Sequence, residues 1–138
     1  MNFGSNMMKY LAAVLALMMI SACAATPQSR EDEIRLRAQA RWDALLENDY
    51  ETAYGYASPG FRSTTSVVDF EIEMRTRRVQ YQSAEYREQS CEEKACTVTM
   101  LVGFKVVKPV MGLDVWESTS AIKEQWIQTG GEWWYLPN

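Results

Sequence analysis

Residues 70–83 read FEIEMRTRRVQYQS, and within them the hydrophobic period changes. Upstream, Val67, Phe70 and Met74 recur at helical spacing. Downstream of Arg78, Val79, Tyr81 and Ser83 alternate as in a strand with one covered face. The switch occurs once and is not reversed, so it divides a helical half from a sheet half.

Toward the N-terminus the helical half resolves into three segments. SREDEIRLRAQARWDALLENDY (29–50) has a capping serine, acids in the first turn, and Ile34, Ala38, Trp42, Leu45 and Leu46 on one stripe. Tyr50, Ala53, Tyr54 and Ala57 continue the period in a shorter helix, which SPG at 58–60 is expected to end. A third helix opens at Ser66, with Asp69 three residues on as in a capping box. Toward the C-terminus, a first strand is expected from Val79 toward Cys91. Val98, Met100, Val102, Phe104 and Val106 form a second, and KPVMGLD (108–114) reads as a connection. Trp116, Ser118, Ser120, Ile122, Glu124 and Trp126 share one face of a third strand. TGG then turns the chain into a short last strand, EWWYLP. Helices followed by a four-stranded antiparallel meander predict an α+β fold.

The N-terminal stretch carries an address. Lys9 precedes an uncharged run from Leu11 to Ile20, which as a helix covers about 15 Å, half the hydrocarbon thickness of a bilayer. Small residues follow, as in a secretory signal peptide. Ile20-Ser21-Ala22-Cys23 resembles the lipobox of bacterial lipoproteins, which implies cleavage before Cys23 and diacylglycerol on its thiol. The alternative is an ordinary signal peptide cut near Ala22. Ala24 after the cysteine, by resemblance to Gram-negative sorting, points to the outer membrane, facing the periplasm. Residues 1–22 are thus read as a signal peptide, 23–29 as a lipidated tether, and 30–138 as one domain. The six residues AATPQS reach only about 20 Å when extended, so the domain lies close to the membrane.

The chain has 138 residues and a net charge of −4, and all 18 acidic residues lie after Cys23. An acidic extracytoplasmic domain is a poor nucleic-acid binder. There is no histidine, which removes Ser-His and Cys-His nucleophilic pairs and His-containing zinc sites. No metal or cofactor is expected. Once Cys23 carries lipid, Cys91 and Cys96 remain, and in an oxidising compartment they read as a disulfide across a hairpin. A redox pair or half a zinc site are the alternatives.

WDALLENDYETAYGYASPGFR (42–62), then a curved sheet, then EQWIQTGGEWWYL (124–136) resembles the nuclear transport factor 2-like superfamily, over about residues 30–136. The resemblance implies a cone, in which three helices lie in the concave face of a bent four-stranded sheet. The superfamily includes ketosteroid isomerase, SnoaL-like cyclases and envelope assembly modules, so function must be argued from the site.

Within that frame Glu124 is the candidate catalytic carboxylate, because alternation places it beside Trp116, Ile122 and Trp126. Desolvation among indoles would raise its pKa toward neutrality; the alternative is a solvated or arginine-paired glutamate. Trp42, Tyr50, Tyr54, Phe61, Trp116 and Trp126 are the candidate pocket, with Tyr56 at its mouth, although aromatics at helical spacing also serve as plain core. Only one of Trp133 and Trp134 can face inward. The other is a contact surface or is covered by long cations. Arg75, Arg77 and Arg78 cluster at a helix C-terminus, where the dipole favours them, or else meet anionic headgroups. The expected function is a membrane-anchored binding or assembly module without catalysis, its partners the bilayer and another envelope protein or a small apolar ligand. The alternative is a small-molecule carrier or SnoaL-like acid/base enzyme. A deep, polar-lipped cavity would favour the alternative; filling by Trp42, Trp116 and Trp126 would favour assembly.

Overall fold

The computed structural model describes residues 30–137. The expected signal peptide, the expected lipidation at Cys23, the expected tether and the expected cap at Ser29 fall outside the described residues. Four helices come first: α1 (Arg30–Leu46), α2 (Tyr50–Gly55), α3 (Pro59–Thr64) and α4 (Val67–Thr76). Four strands follow: β1 (Val79–Glu92), β2 (Ala95–Val110), β3 (Leu113–Thr129) and β4 (Glu132–Leu136). They form one antiparallel sheet in chain order. The α+β architecture and the change of period after Arg78 are as the sequence predicts.

Among the described residues there are four helices, not three. SPG does not end a helix; it starts one. Ser58 caps α3, its hydroxyl accepting from Phe61 N at 3.3 Å, and Pro59 occupies the first turn. Proline needs no N–H there, so the pair that looked like a terminator is an initiator. α2 accordingly stops at Gly55, two residues before Ala57. Ser66 caps α4 as expected, accepting from Asp69 N at 3.1 Å.

In the sheet, the expected inward alternation of Ser83 fails. Register shifts at Tyr81/Ser83 and Tyr86/Glu88 insert bulges, and the covered residues of β1 run Val79, Tyr81, then Ala84, Tyr86, then Gln89, Cys91. Each bulge flips the face and bends the strand. Ser83 lands on the outer face opposite Gly103, where a Cβ would lie 2.4 Å from its Oγ. KPVMGLD is also not a loop. β2 continues to Val110 and β3 begins at Leu113, with Met111 and Gly112 (φ +85°) making the turn. This part of the β2–β3 hairpin runs beyond Val106, the residue opposite the start of β1.

Burial concentrates where α1 crosses the sheet. Ile34, Ala38, Trp42 and Leu45 of α1 meet Cys96, Val98, Met100 and Val102 of β2, with Trp126 and Trp133 beside them. The free edge of β4 is covered rather than left open: Tyr135 N donates to Tyr56 O, and Ser58 N donates to Tyr135 O, each at 2.8 Å. The α2–α3 junction is thereby fixed to the sheet. Cys91 and Cys96 lie opposite each other and form a disulfide at the β1–β2 hairpin.

Candidate functional site

The inner face of β3 carries Glu124 into the helix–sheet interface, as alternation predicts, and 3% of the residue is exposed. A partner not singled out from the sequence meets it there. Arg41 of α1 is also buried, and its Nη1 donates to Glu124 Oε1 at 2.6 Å. Trp126 Nε1 donates to the other oxygen at 3.3 Å. The Arg41 guanidinium lies 3.6 Å from the centre of the Tyr135 ring, so a desolvated cation is held by a carboxylate and an aromatic face. Burial pushes the Glu124 carboxyl above its ordinary 4.5, outweighing the attraction of Arg41 and the indole N–H of Trp126. Tyr135 is raised as well, first by burial.

The pair forms part of the wall of a hollow of about 310 Å³. Trp42, Phe61, Phe70, Ile122 and Tyr135 supply its aromatic and aliphatic walls, and Glu73 and Arg77 of α4 and its end supply charge. Trp42 is almost wholly buried and stands edge-on to Tyr81, with 5.0 Å between ring centres. Its indole N–H acts on the Glu124 carboxylate, lowering the pKa of that group, but the contact falls short of hydrogen-bond geometry. A buried donor without a partner is costly. An acceptor entering the hollow removes that cost.

The aromatic candidates do not all line this hollow. Trp42, Phe61 and Trp126 lie at or behind this hollow. Tyr54 instead ties the helices together: its hydroxyl donates to Thr65 O at 2.7 Å, and its ring packs on Phe61 and Phe70. Tyr50 donates to Asn48 Oδ1 at 2.8 Å and lines a neighbouring hollow of about 340 Å³. Trp116 is 49% exposed and packs edge-on against Phe104. It shares the strand face of Glu124, but the helical layer does not cover that far end.

Of the two adjacent tryptophans, Trp133 is buried and Trp134 faces outward, where Arg37 and Arg62 lie 5.4 Å and 4.8 Å from its ring centre. Arg37 also approaches Tyr56, at 5.3 Å. Within the basic cluster, Arg75 pairs with Glu71 at 2.7 Å and Arg77 with Glu73, one turn back on α4. Arg77 is held above its ordinary value: burial opposes this, but Glu73 and Tyr81 outweigh it. Arg78 is exposed. Arg41 was legible in one respect. It falls seven residues after Ile34, on the apolar stripe, and an arginine there needs a buried partner.

No family model matches the chain, and no curated protein matches it. Solved structures do. A SEC-C motif containing protein from Rhodopseudomonas palustris is 15% identical, with 73% of each chain covered and a TM-score of 0.54. A sec-c motif containing protein from Psychrobacter arcticus is 11% identical, with 78% of this chain and 60% of that chain covered and a TM-score of 0.57. A putative dehydratase from the NTF2-like family of Streptomyces avermitilis is 11% identical, covering 75% and 89% with a TM-score of 0.49. At these identities the first two likenesses show a shared fold and nothing about activity.

Proposed function

We propose that this is a lipid-anchored envelope protein whose helix–sheet domain binds a small molecule in the hollow beside Arg41 and Glu124, without transforming it. The observation that carries this reading is the buried N–H of Trp42, which makes no well-formed hydrogen bond, at a hollow walled by aromatic rings. Its size, about 310 Å³, falls at the low end of the ~300–1,000 Å³ usual for small-molecule sites. A flat or alicyclic body fits those walls, and a carbonyl or carboxylate oxygen fits the Trp42 donor. Trp116 does not join Trp42 and Trp126 in the core, and a polar-lipped hollow remains. That favours a ligand over a purely structural core. The lipobox at Ile20–Cys23 supports the anchor, and Ala24 after it supports an outer-membrane, periplasm-facing location. The order of helices, meander and terminal GEWW motif supports the nuclear transport factor 2-like reading.

Binding is preferred to catalysis because Glu124 is already committed. A general base must be free to take a proton, and this carboxylate accepts from both Arg41 and Trp126. Its raised pKa favours the second reading, acid/base catalysis. The two separate cleanly. The mature protein is screened by thermal shift against compounds with an aromatic or alicyclic body and one acceptor. Binding predicts hits that Trp42→Phe abolishes and Glu124→Gln retains, with the compounds recovered unchanged. Turnover that Glu124→Gln eliminates would instead establish an enzyme, and the absence of any hit that depends on Trp42 would remove the site. Acyl labelling of Cys23, lost in Cys23→Ser, tests the anchor separately.

A further inference from the structure

We propose that the face formed by Arg37, Trp134 and Arg62 docks on phospholipid headgroups and holds the domain in a fixed orientation on its own membrane. This rests on the lipid-anchor reading above. The charge pattern comes first. Arg41, Arg75 and Arg77 have carboxylate partners, whereas Arg37 and Arg62 make no ion pair among the described residues. Their contacts with neighbouring side chains are the rings of Trp134 and Tyr56. The Nε of each is buried with no hydrogen-bond partner. Arg30, Arg78, Lys94, Lys105, Lys108 and Lys123 also lack an ion pair among the described residues, but Arg37 and Arg62 are set apart by flanking one ring, and two cations gathered on one indole in an acidic chain point to an anion supplied from outside. An amphipathic indole sandwiched with guanidinium groups suits the headgroup layer, where tryptophan, tyrosine and arginine anchor proteins. Beside Arg62 an open, mainly apolar depression is lined by Pro59, Phe61, Ile127 and Leu136, and suits the first methylenes below the phosphates.

Position in the fold decides between surfaces. Arg30, where the tether joins the domain, donates to Glu93 O at the β1–β2 turn. That turn is linked to β3 by Gln128 N donating to Lys94 O, and Ile127 lies opposite both Ala95 and Trp134. Tether junction and arginine–tryptophan face therefore occupy one end of the sheet. Arg37 is only about 10 Å along α1 from Arg30, and AATPQS spans about 20 Å at most. Exposed apolar residues also lie on α4, at Val68 and Ile72, and at the β2–β3 tip, at Val110, Met111 and Leu113; the tip lies the length of β2 away, about 50 Å. The tether does not bring that tip to the bilayer without laying the whole sheet flat.

The test uses the full acylated protein reconstituted in nanodiscs, with brominated-chain lipids as fluorescence quenchers. Discs of phosphatidylethanolamine and phosphatidylglycerol are compared with discs of phosphatidylcholine. Subtracting Trp134→Phe isolates the Trp134 signal. Docking predicts that Trp134 is quenched in the anionic discs, and that each of Arg37→Gln and Arg62→Gln lowers the docked-to-undocked ratio about fivefold, as expected for one cation at an anionic surface. Near-ultraviolet circular dichroism verifies that the variants retain packing. An unquenched Trp134 on discs where mass analysis finds Cys23 acylated overturns the docking and spares the anchor, and an acidic protein segment as occupant gives that same result. A mass showing Cys23 without lipid overturns both. Equal quenching in wild type and the double Arg variant also overturns the proposal.

Discussion

Removing one partner of the Arg41–Glu124 pair should destabilise the domain far more than removing both. In Glu124→Leu the Arg41 guanidinium, with its side chain 7% exposed, loses its carboxylate partner while remaining desolvated. Breaking a buried pair in this way costs about 3–5 kcal/mol. The hollow beside the pair admits water, so the expected value lies near the lower end, about 3 kcal/mol. For a domain of this size that lowers Tm by roughly 12 °C, taking about 4 °C per kcal/mol. Arg41→Met combined with Glu124→Leu replaces the pair by apolar groups of similar length, and should return to within about 1 kcal/mol of wild type. Urea unfolding of the four proteins closes a double-mutant cycle with a coupling of about 2 kcal/mol or more. The reasoning fails if Glu124→Leu costs less than about 1 kcal/mol, or if the double variant falls as far as the sum of the singles. Either result means that water, rather than the partner, solvates these charges.

The same carboxylate predicts a pH dependence. Because burial raises the folded-state value of Glu124 above 4.5, the native state holds its proton more tightly than the unfolded chain. That contribution is complete below pH 4.5 and is lost as pH rises through the folded value. Urea midpoints between pH 4 and 7 should show this slope, and Glu124→Gln should remove it; a slope unchanged in the variant refutes the assignment. Ser58→Ala deletes the hydroxyl that caps α3 and should cost about 1 kcal/mol, read by thermal unfolding; no loss would show that Pro59 alone starts the helix. Mass analysis should find Cys91 joined to Cys96, and Cys91→Ala with Cys96→Ala should cost about 2 kcal/mol by the chain-entropy estimate. Free thiols in the native protein would contradict this.

Much of the scaffold was legible because periodicity is a local property. The stripe Ile34–Ala38–Trp42–Leu45 and the alternation of β2 each place one face inward, whatever they pack against. Local reasoning failed where one signal has two readings. Ser58-Pro59-Gly60 contains both a helix stop and a helix start, and the bonds of Tyr135 to Tyr56 and Ser58 hold the chain on a path where it starts. In β1 the sequence alternates straight through Tyr81 and Ser83, but bulges reset the covered face. A bulge depends on the partner strand, which the single sequence does not display.

For the site, sequence placed Glu124 on the covered face and put Trp133 and Trp134 on opposite faces. It could not choose which indole was inside, nor pair Glu124 with Arg41. These residues lie 83 positions apart, and their meeting depends on the angle at which α1 crosses the sheet. Trp116 makes the same point from the other side: strand face was correct, but burial requires a helix overhead. Composition and period alone determined an acidic α+β domain without histidine, because they count and space residues. Which charges are desolvated together, which ring is left beneath two arginines, and where a hollow survives were decided by tertiary packing, because burial belongs to pairs of elements and not to either one.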